Sequence, residues 1–493
     1  MAKNIRILFV NPISGIEGFL PIGLSSLIAV LKKDNFKVNL FDTTYYEVDG
    51  FSDRALNEFV GEFLPADIEK FNIAKEKVDY LLKFSEKVKE VNPAVIAVTV
   101  PTAYNFPLAK RLIESITNFQ GVVIVGGKHV TMSPQEVISL KRVDVICRGE
   151  GETPFLEFCN RLEDGKSFDG INNLWIKKKD GSIIKNEIGP LEDVNKLPFL
   201  DWSLYDERHF YKPFAGKVYR YGHLELSRGC PYRCSYCANE KLQEMFKGKG
   251  KYFRQKNLNR ALTEIEFLKS KYKLEIIKFW DEEFLLKSEK ELEEFAEIYR
   301  EFKLPFLITA RLDSVTERKA QLLKEMGCVN VSAGIESGND EIRFEILNRR
   351  MSREEIIRGI GILNKHKIRT STLNMIGIPF ETRKNIFETI ELNRTAHAQN
   401  SSVMILQPWE GTKIRELCVK EGFMSEDDKH YDYIDSCLNM PQISRDEIKR
   451  LRKTFTLYRK VPKILYPLVR LCEKDGKYRD AGFKFLHKIF KSI

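Results

Sequence analysis

Three cysteines, Cys230, Cys234 and Cys237, lie within eight residues in the run LSRGCPYRCSYCANE. Their C-x3-C-x2-C spacing lets one tight loop place three thiolates around a single iron–sulfur cube, and thiolates are the ligands that such clusters require. A cubane has four irons, so three cysteines leave one iron without a protein ligand. The motif therefore predicts a metal centre with one position open for chemistry.

A zinc site, a set of disulfides and coincidence are the alternative interpretations of this triad. Structural zinc normally takes four ligands from paired CxxC or CxxH units, and no second pair lies nearby in the sequence. The N-terminal run MAKNIRILFVNP has too short an apolar stretch for a secretion signal, which disfavours disulfides. At roughly 2% cysteine, a chance triad with this spacing is expected in only a few chains per thousand.

The triad resembles the signature of the radical S-adenosylmethionine (radical SAM) superfamily, and Tyr236 stands immediately before the third cysteine as in the family pattern. The resemblance implies that Cys230, Cys234 and Cys237 hold a 4Fe-4S cluster whose open iron chelates the amino and carboxylate groups of SAM. It also implies that one electron cleaves SAM to a 5′-deoxyadenosyl radical. An electron donor such as flavodoxin or ferredoxin would then be a partner.

The N-terminal part alternates apolar strands with helices, which predicts a parallel sheet covered on both faces. The predicted strands cover 5–12, 36–43, 93–100, 121–129 and 143–153; a helix covers 21–35 and a charged helical insertion covers 52–91. Ligands of such sheets bind at the carboxyl ends of the strands. The candidate binding residues at these ends are Asn11, Pro12, Thr99, Gly126, Gly127, His129, Gly149 and Glu150.

Residues 1–162 resemble the Rossmann-like cobalamin-binding domain that precedes many radical SAM domains. The matching segments are the Pro-Ile-Gly helix start, the turn GGKHVTMSP and the strand end CRGEGE. The Asp-x-His-x-x-Gly motif that supplies an axial histidine in classical cobalamin proteins is absent. His129 could line the corrin site, or it could be a turn histidine that is exposed or hydrogen-bonded. The domain could also have kept its shape and lost the ligand.

Three further regions complete the predicted α/β architecture. Residues 163–222 form a connector with a β-hairpin that turns at Asp180-Gly181. Residues 223–415 show six strand–helix steps, which resemble the partial (β/α)6 barrel of radical SAM enzymes. In such barrels the carboxyl ends of the strands carry the active site. Residues 416–493 form a basic helical segment.

Acidic and basic side chains at two barrel strand ends are candidates for holding the polar end of SAM. By resemblance, Asp281 or Glu282 holds the ammonium group, although these carboxylates could also mark a solvated strand exit. Arg311 could fork onto the SAM carboxylate, or it could pair with Asp313.

Two glycine-containing strand ends are candidates for the nucleoside of SAM. In the segment GIESG, Gly334 and Ser337 resemble the family pattern, and Glu336 could accept hydrogen bonds from ribose hydroxyls. In NMIGIP, Gly377 and Ile378 resemble the segment that contacts adenine in the family.

The net charge of +10 is concentrated at the C-terminal end, where residues 442–493 hold 15 Lys and Arg against 5 Asp and Glu. Such a segment could lie on an anionic membrane surface, which would suit a lipid-linked substrate, or it could pack across the barrel. No run of about 20 apolar residues predicts a membrane span. The six other cysteines are scattered, which favours the cytoplasm; they are Cys147, Cys159, Cys328, Cys418, Cys437 and Cys472.

These features together predict a cobalamin-dependent radical SAM enzyme, most simply a methyltransferase that acts on an unactivated carbon of a small or lipid-linked molecule. Three alternatives stay open. Relatives with this architecture use cobalamin in ring formation, such as the cyclisation of a porphyrin precursor; others run rearrangements without cobalamin. A nucleic-acid modifier is disfavoured, because the chain has neither a second cysteine triad nor a small C-terminal nucleic-acid domain.

Overall fold

A computed structural model shows two seven-stranded sheets, one in each half of the chain. The structure describes residues 3–13, 20–48, 60, 62, 66–431, 434–474 and 477–490. Much of the predicted charged insertion, between 49 and 65, lies outside the described residues. Its later part is described and contains the helix Tyr80–Val91.

The first sheet has the strand order β2-β1-β3-β4-β5-β6-β7. Five strands run parallel, as predicted, and the last two are antiparallel. The strands are β1 Arg6–Asn11, β2 Lys37–Asp42, β3 Val95–Thr99, β4 Val122–Gly126, β5 Val145–Cys147, β6 Leu174–Lys177 and β7 Ile183–Lys185.

Helices cover both faces of this sheet. Along β1, Ile7 and Phe9 face one hydrophobic core, while Leu8 and Val10 face another, because successive side chains of a strand point to opposite sides. This double burial explains why the strands read as continuous apolar runs. The helices are α1 Ile22–Lys33, α2 Tyr80–Val91, α3 Phe106–Glu114, α4 Lys128–Met132, α5 Pro134–Ile138 and α6 Glu152–Glu163.

The predicted connector is divided between the two sheets. Its hairpin, β6–β7, turns at Asp180-Gly181 as expected but pairs with β5 and so extends the first sheet. Its last residues form β8, Tyr211–Phe214, and the start of β9, Lys217–Leu224, which belong to the second sheet. Residues 163–222 are therefore not a separate structural layer.

The second sheet contains six parallel strands, as the six predicted strand–helix steps require, with the antiparallel β8 at one edge. The strand order is β16-β15-β14-β13-β12-β9-β8. A short antiparallel pair, β10 and β11, stands apart from it. The remaining strands are β10 Ser227–Arg228, β11 Arg254–Gln255, β12 Ile276–Phe279, β13 Phe306–Thr309, β14 Cys328–Glu336, β15 Arg369–Ile376 and β16 Asn400–Ile405.

Helices between these strands begin at strong caps. Ser288, Ser352 and Thr382 each form a reciprocal capping box with the residue three positions on. Side chains such as Phe279 and Ile308 bury under the helices in a core shared with the first sheet. The helices are α7 Ala238–Met245, α8 Leu258–Tyr272, α9 Glu289–Tyr299, α10 Glu317–Met326, α11 Arg353–Lys365, α12 Arg383–Thr395 and α13 Lys413–Lys420.

The C-terminal segment packs on the barrel through its first helix. This segment contains α14 Arg445–Lys460, α15 Tyr466–Cys472 and α16 Lys477–Ile489. Arg394 of α12 donates to the carbonyl of Val461 at 2.6 Å, and Arg383 forms ion pairs with Glu447 and Glu473. Among the described residues, no helix has both the length and the apolar character needed to span a bilayer.

Candidate active site

The cysteine loop begins at a junction that Asp281 fixes. This carboxylate, at the end of β12, accepts hydrogen bonds from the Leu226 amide at 3.0 Å and from the Ser227 hydroxyl. Both of its oxygens are thereby used inside the protein, and the residue is buried. Asp281 therefore orients the loop, which leaves its neighbour Glu282 as the better candidate to meet a cofactor.

The three cysteines carry free thiols in surroundings that fit a cluster. Cys234 is buried, whereas Cys230 and Cys237 are half-buried. Gln243 of α7 donates to the Cys230 carbonyl at 2.9 Å and so braces the loop. Burial raises the pKa of the Cys230 thiol to about 12, so metal binding must displace a proton.

Within the part of the chain that the structure describes, no three His, Cys, Asp or Glu side chains gather closely enough to bind one metal ion. The zinc alternative needs four ligands around a single ion, whereas a cubane spreads its thiolates over separate irons. The assignment of Cys230, Cys234 and Cys237 as cluster ligands stays a prediction.

Glu282 lies beside the loop and is exposed. It accepts a hydrogen bond at 2.6 Å from the side chain of Asn239, which is also 3.5 Å from the Cys237 sulfur. Tyr252 donates to the same Asn239 amide at 2.6 Å and fixes its orientation. An exposed carboxylate at this position can pair with an ammonium group next to the third cysteine.

Of the two roles predicted for Arg311, the structure shows the pair with Asp313. It pairs with Asp313 at 2.8 Å and donates to the Arg350 carbonyl at 3.0 Å. Its guanidinium also lies 4.0 Å from the ring centroid of Tyr232, a residue of the cysteine loop. Arg311 therefore contacts the cysteine loop through Tyr232, and its role toward the SAM carboxylate stays a prediction.

Arg349 was not predicted from the sequence, yet it contacts the site directly. It is buried, donates to the Gly334 carbonyl at 2.7 Å and lies 3.8 Å from the Cys234 sulfur. Burial raises the pKa of Glu336, although the guanidinium of Arg349 and the hydroxyl of Tyr236 oppose that shift. The sequence carried no signal for this role of Arg349, because Arg349 and Cys234 are 115 residues apart and meet only in the folded chain.

The segment GIESG lies at the end of β14, as the sequence predicted. A Cβ on Gly334 would lie 2.1 Å from a Glu336 carboxylate oxygen, so the Glu336 side chain fills the space beside this glycine. Glu336 takes a left-handed backbone conformation with φ of 67°. Ser337 is fully buried, and its hydroxyl accepts from the Asn339 amide at 3.2 Å. Glu336 thus turns toward Gly334 and Arg349.

The segment NMIGIP is shaped by Glu381. This buried carboxylate accepts hydrogen bonds from the amides of Gly377 at 2.6 Å and Ile378 at 3.2 Å. Gly377 has a positive φ of 74°, and the Ile378 side chain is fully buried. Burial raises the pKa of Glu381 to about 8. Any contact of this turn with a nucleoside therefore involves groups other than these two amides.

A cleft joins the ligand edge of the first sheet to the cysteine loop and to the end of β16. Ala238, the residue after Cys237, belongs to its wall. Gly127 at the end of β4 has a φ of 124°, and a Cβ there would lie 2.4 Å from the Val100 carbonyl. The lining residues include Pro101, Thr102, Lys128, His129, Met132, Ser133, Glu136, Gln407, Trp409, Glu410 and Tyr431.

His129 is buried in the first turn of α4 and is not an exposed turn residue. Its Nε2 lies 3.3 Å from a Glu136 oxygen, and its ring lies 4.6 Å from that of Phe106. Burial alone would raise the pKa of Glu136, but hydrogen bonds from His129 and Tyr431 lower it. His129 therefore both lines the cleft and is engaged with Glu136.

Four other predicted residues meet at the same sheet edge. Asn11 donates to Asp42 at 2.5 Å and accepts from the Thr99 hydroxyl at 3.2 Å. The Pro12 carbonyl accepts from the Asn105 side chain at 3.1 Å, and the Gly126 carbonyl accepts from the Val100 amide at 2.7 Å. These polar groups build the edge itself and hold its loops together.

Gly149 and Glu150 have a different role, because they touch the second half of the chain. Gly149 has a φ of 77°, and a Cβ there would lie 2.7 Å from the ring of Phe246. Glu150 pairs with Arg254 at 2.7 Å and with Arg228 at 3.5 Å, the two arginines that flank the cysteine loop. Glu150 therefore joins the first sheet to the β10–β11 pair, which stands beside the second sheet.

Family models match both halves of the chain. The model of the radical SAM superfamily matches residues 224–392, and that of the B12 binding domain matches residues 62–158. The first match contains all three cysteines. The second contains the strand ends β3, β4 and β5.

Curated relatives share about a quarter of their residues with this chain. An uncharacterized methyltransferase, PH0819, of Pyrococcus horikoshii is 26% identical over 77% of this chain and 81% of its own length. Cytidylyl-2-hydroxyethylphosphonate methyltransferase of Streptomyces wedmorensis is 22% identical over 88% of this chain and 85% of its own. Anaerobic magnesium-protoporphyrin IX monomethyl ester cyclase of Rubrivivax gelatinosus is 25% identical over 66% of this chain and 58% of its own.

Solved structures show the same fold. The radical SAM methyltransferase TsrM from Kitasatospora setae, with cobalamin and a [4Fe-4S] cluster bound, has a TM-score of 0.65 at 18% identity and covers 85% of this chain and 75% of its own. The cobalamin-dependent radical enzyme OxsB, with aqua-cobalamin and SAM bound, has a TM-score of 0.67 at 14% identity. The match covers 99% of this chain and 71% of OxsB. The chain is a radical SAM enzyme and belongs to the branch of that superfamily that carries an N-terminal cobalamin-binding domain.

Proposed function

We propose that this enzyme is a methyltransferase that acts on an unactivated carbon and uses a 4Fe-4S cluster, SAM and cobalamin. The observation that carries the proposal is the cleft that is lined by Lys128 and His129 of the first sheet's edge and by Ala238, the residue that follows the cysteine loop. Two cofactors must meet a substrate in one enclosed space for such a reaction, because exclusion of water protects reactive intermediates. The methyltransferases among the relatives support the same assignment.

The cysteine loop would hold the cluster through Cys230, Cys234 and Cys237. When bound, the cluster supplies one electron to SAM and cobalamin supplies the methyl group. Arg349, 3.8 Å from the Cys234 sulfur, places a permanent positive charge beside a thiolate. Glu282 would pair with the SAM ammonium.

The first sheet would hold cobalamin at its cleft edge. Gly127 lets the end of β4 pack directly against the Val100 backbone, and the residues that follow it, Lys128 and His129, line the cleft. His129 is held 3.3 Å from Glu136, and we infer that it lines the corrin without serving as its axial ligand. The absence of Asp-x-His-x-x-Gly from the sequence agrees with this role.

The organisation around this site follows from the two sheets. We place the cobalamin domain at 1–162, with the connector 163–222 lending its hairpin to the first sheet, the barrel at 223–415 and the helical segment at 416–493. The substrate is proposed to be a small or lipid-linked molecule, with flavodoxin or ferredoxin as electron donor. Nine free cysteines agree with a cytoplasmic location.

Anaerobic reconstitution tests the proposal. The protein is loaded with iron, sulfide and cobalamin and then given SAM and a chemical reductant. We expect 5′-deoxyadenosine and S-adenosylhomocysteine by mass spectrometry, together with a corrin absorbance spectrum. The matched control is the triple variant Cys230→Ala, Cys234→Ala, Cys237→Ala, which should lose iron and deoxyadenosine. Wild-type protein that binds no iron, or a triple variant that still forms deoxyadenosine, would contradict the proposal.

A cyclase is the second candidate, because two of the relatives, from Rubrivivax gelatinosus and Cereibacter sphaeroides, are anaerobic magnesium-protoporphyrin IX monomethyl ester cyclases. The same assay separates the two functions. Methyl transfer through cobalamin releases S-adenosylhomocysteine, whereas ring formation consumes SAM without that product. Deoxyadenosine alone, in protein that retains corrin, would favour the cyclase.

A further inference from the structure

The second sheet has two faces of opposite character. Residues such as Ile277, Phe279 and Ile308 point to the helices and are buried in the main core. Because side chains alternate along a strand, the residues between them point to the inner face of the curled sheet. That inner face borders the space that the curled sheet partly encloses.

Polar side chains form a continuous row on this inner face. Lys278 of β12 pairs in register with His223 of β9, and its Nζ lies 3.2 Å from the Thr309 hydroxyl of β13. Thr309 in turn pairs with Ser332 of β14, which pairs with Ser371 of β15. The row crosses five neighbouring strands, so it is a property of the sheet and not of one loop.

Lys278 carries the distinctive charge of this row. Among the described residues, no carboxylate forms an ion pair with it, whereas Arg254, Lys256 and Arg311 each have one. The closest acid along the chain, Asp281, spends both oxygens on Leu226 and Ser227. Burial lowers the pKa of Lys278 to about 8. A desolvated ammonium of this kind gains free energy when an anion pairs with it.

Apolar side chains on the same face are exposed to the barrel interior. Trp280, two residues after Lys278, is 41% exposed, and Lys278 Nζ lies 5.5 Å from its ring centroid. Across the sheet, Leu373 of β15 is 38% exposed and Met404 of β16 is 48% exposed. Large apolar side chains in an interior cavity are usually covered by a ligand when it binds.

We propose that the inner face binds the substrate as an amphiphilic anion: a carboxylate or phosphate group pairs with Lys278, and an apolar portion covers Trp280, Leu373 and Met404. The inference rests on the proposed function only in taking the barrel interior as the substrate site. Lys278 is thus a residue that determines specificity. The polar hydroxyls of Thr309 and Ser332 add hydrogen-bond donors to the anion.

Intrinsic fluorescence tests this site on the cluster-free full chain, because iron–sulfur absorption would obscure Trp280. Three probes share one alkyl chain: octanoate, octyl phosphate and the neutral 1-octanol. We expect a saturable change for both anions, with a dissociation constant at least tenfold lower than that of 1-octanol. Comparison of the two anions shows whether a carboxylate or a phosphate fits better.

Single substitutions identify the residues that cause the preference for anions. Lys278→Gln should abolish the preference for anions, Lys278→Arg should retain most of it, and the exposed helix residue Lys290→Gln should not change it. Trp280→Phe identifies the reporting tryptophan. Iron uptake on later reconstitution shows that each variant is folded. Equal anion preference in Lys278→Gln, or no saturable response to any probe in the wild type, would overturn the proposal.

These outcomes are separable from those of the proposed function. Reconstitution with SAM measures cofactor chemistry in the wild-type protein and does not involve the alkyl probes. A protein that forms deoxyadenosine but shows no anion preference refutes the substrate site alone. A protein that shows the preference but makes no deoxyadenosine refutes the proposed chemistry and leaves an anion-binding barrel.

Discussion

The cysteine loop and the cleft edge of the first sheet are held in different ways. Ion pairs and charge-assisted hydrogen bonds surround the loop, with Asp281, Arg311 and Arg349 each contacting it or its neighbours directly. The cleft edge depends instead on backbone shape at Gly127 and on hydrogen bonds among its own loops. A redox centre gains from fixed charges, whereas a broad flat cofactor needs an unobstructed surface.

The largest expected effect comes from distorting the backbone at the cleft edge. Gly127→Val places a branched side chain where even a Cβ would be 2.4 Å from the Val100 carbonyl, in a backbone conformation that disfavours L-residues. We expect at least a tenfold loss of cobalamin affinity in a titration followed by corrin absorbance, with iron content unchanged. Gly181→Val is the control, since it has a φ of 85° but open space around it. Equal losses in both variants would contradict this assignment.

The second-largest effect is expected from removal of the Arg349 charge beside Cys234. Arg349→Met leaves the Gly334 carbonyl and the Cys234 sulfur without their donor, and breaking a buried ionic contact typically costs about 3–5 kcal/mol. We expect faster cluster loss, measured as iron per chain over time, and a lower cluster reduction potential. Arg350→Met, at the exposed neighbouring position, is the control. The idea fails if both variants keep the wild-type potential.

Two buried carboxylates sharpen the comparison, because their pKa values shift in opposite directions. In the first sheet, burial alone would raise the pKa of Asp42. The hydrogen bond and the charge of His209 outweigh the effect of burial, and the pKa of Asp42 is lowered. In the second sheet, Glu381 has no such cation and its pKa is raised to about 8.

A group with a raised acid pKa binds its proton more tightly in the folded state. Stability from Glu381 therefore falls as the pH rises from the unfolded value near 4.5 toward 8. We expect a loss of about 2–4 kcal/mol, since one pKa unit corresponds to about 1.4 kcal/mol. Urea denaturation at pH 5 and pH 8 should show a smaller loss for Glu381→Gln. An identical pH dependence in the two proteins would refute the shift.

The smallest effect is expected where the two regions meet. Glu150→Gln weakens the pairs with Arg254 and Arg228, and we expect a destabilisation of about 1–2 kcal/mol. Hydrogen exchange should rise at β10 and β11 and not across β15. Glu86→Gln, which breaks an exposed pair with Lys83, is the control and should change nothing measurable. Uniform exchange across both sheets would show that Glu150 does not join them.

Local patterns predicted much of this fold. Apolar runs located the parallel strands of both sheets, and the spacing of Cys230, Cys234 and Cys237 located the loop. Contacts between distant segments were not predictable. Glu150 meets Arg254 across 104 residues, and Arg349 meets Cys234 across 115. No periodicity or motif encodes such pairings, so the bracing contacts of Glu150 and Asp281 were not predicted, and their roles as cofactor ligands stay predictions.

The bracing of the cysteine loop has a consequence for how the enzyme matures. Gln243, Asp281 and Arg311 hold the loop by contacts made entirely within the polypeptide. We therefore expect the loop to hold much of its path before iron and sulfide bind. Expression in iron-starved cells should then yield a stable acceptor that is competent for later metallation.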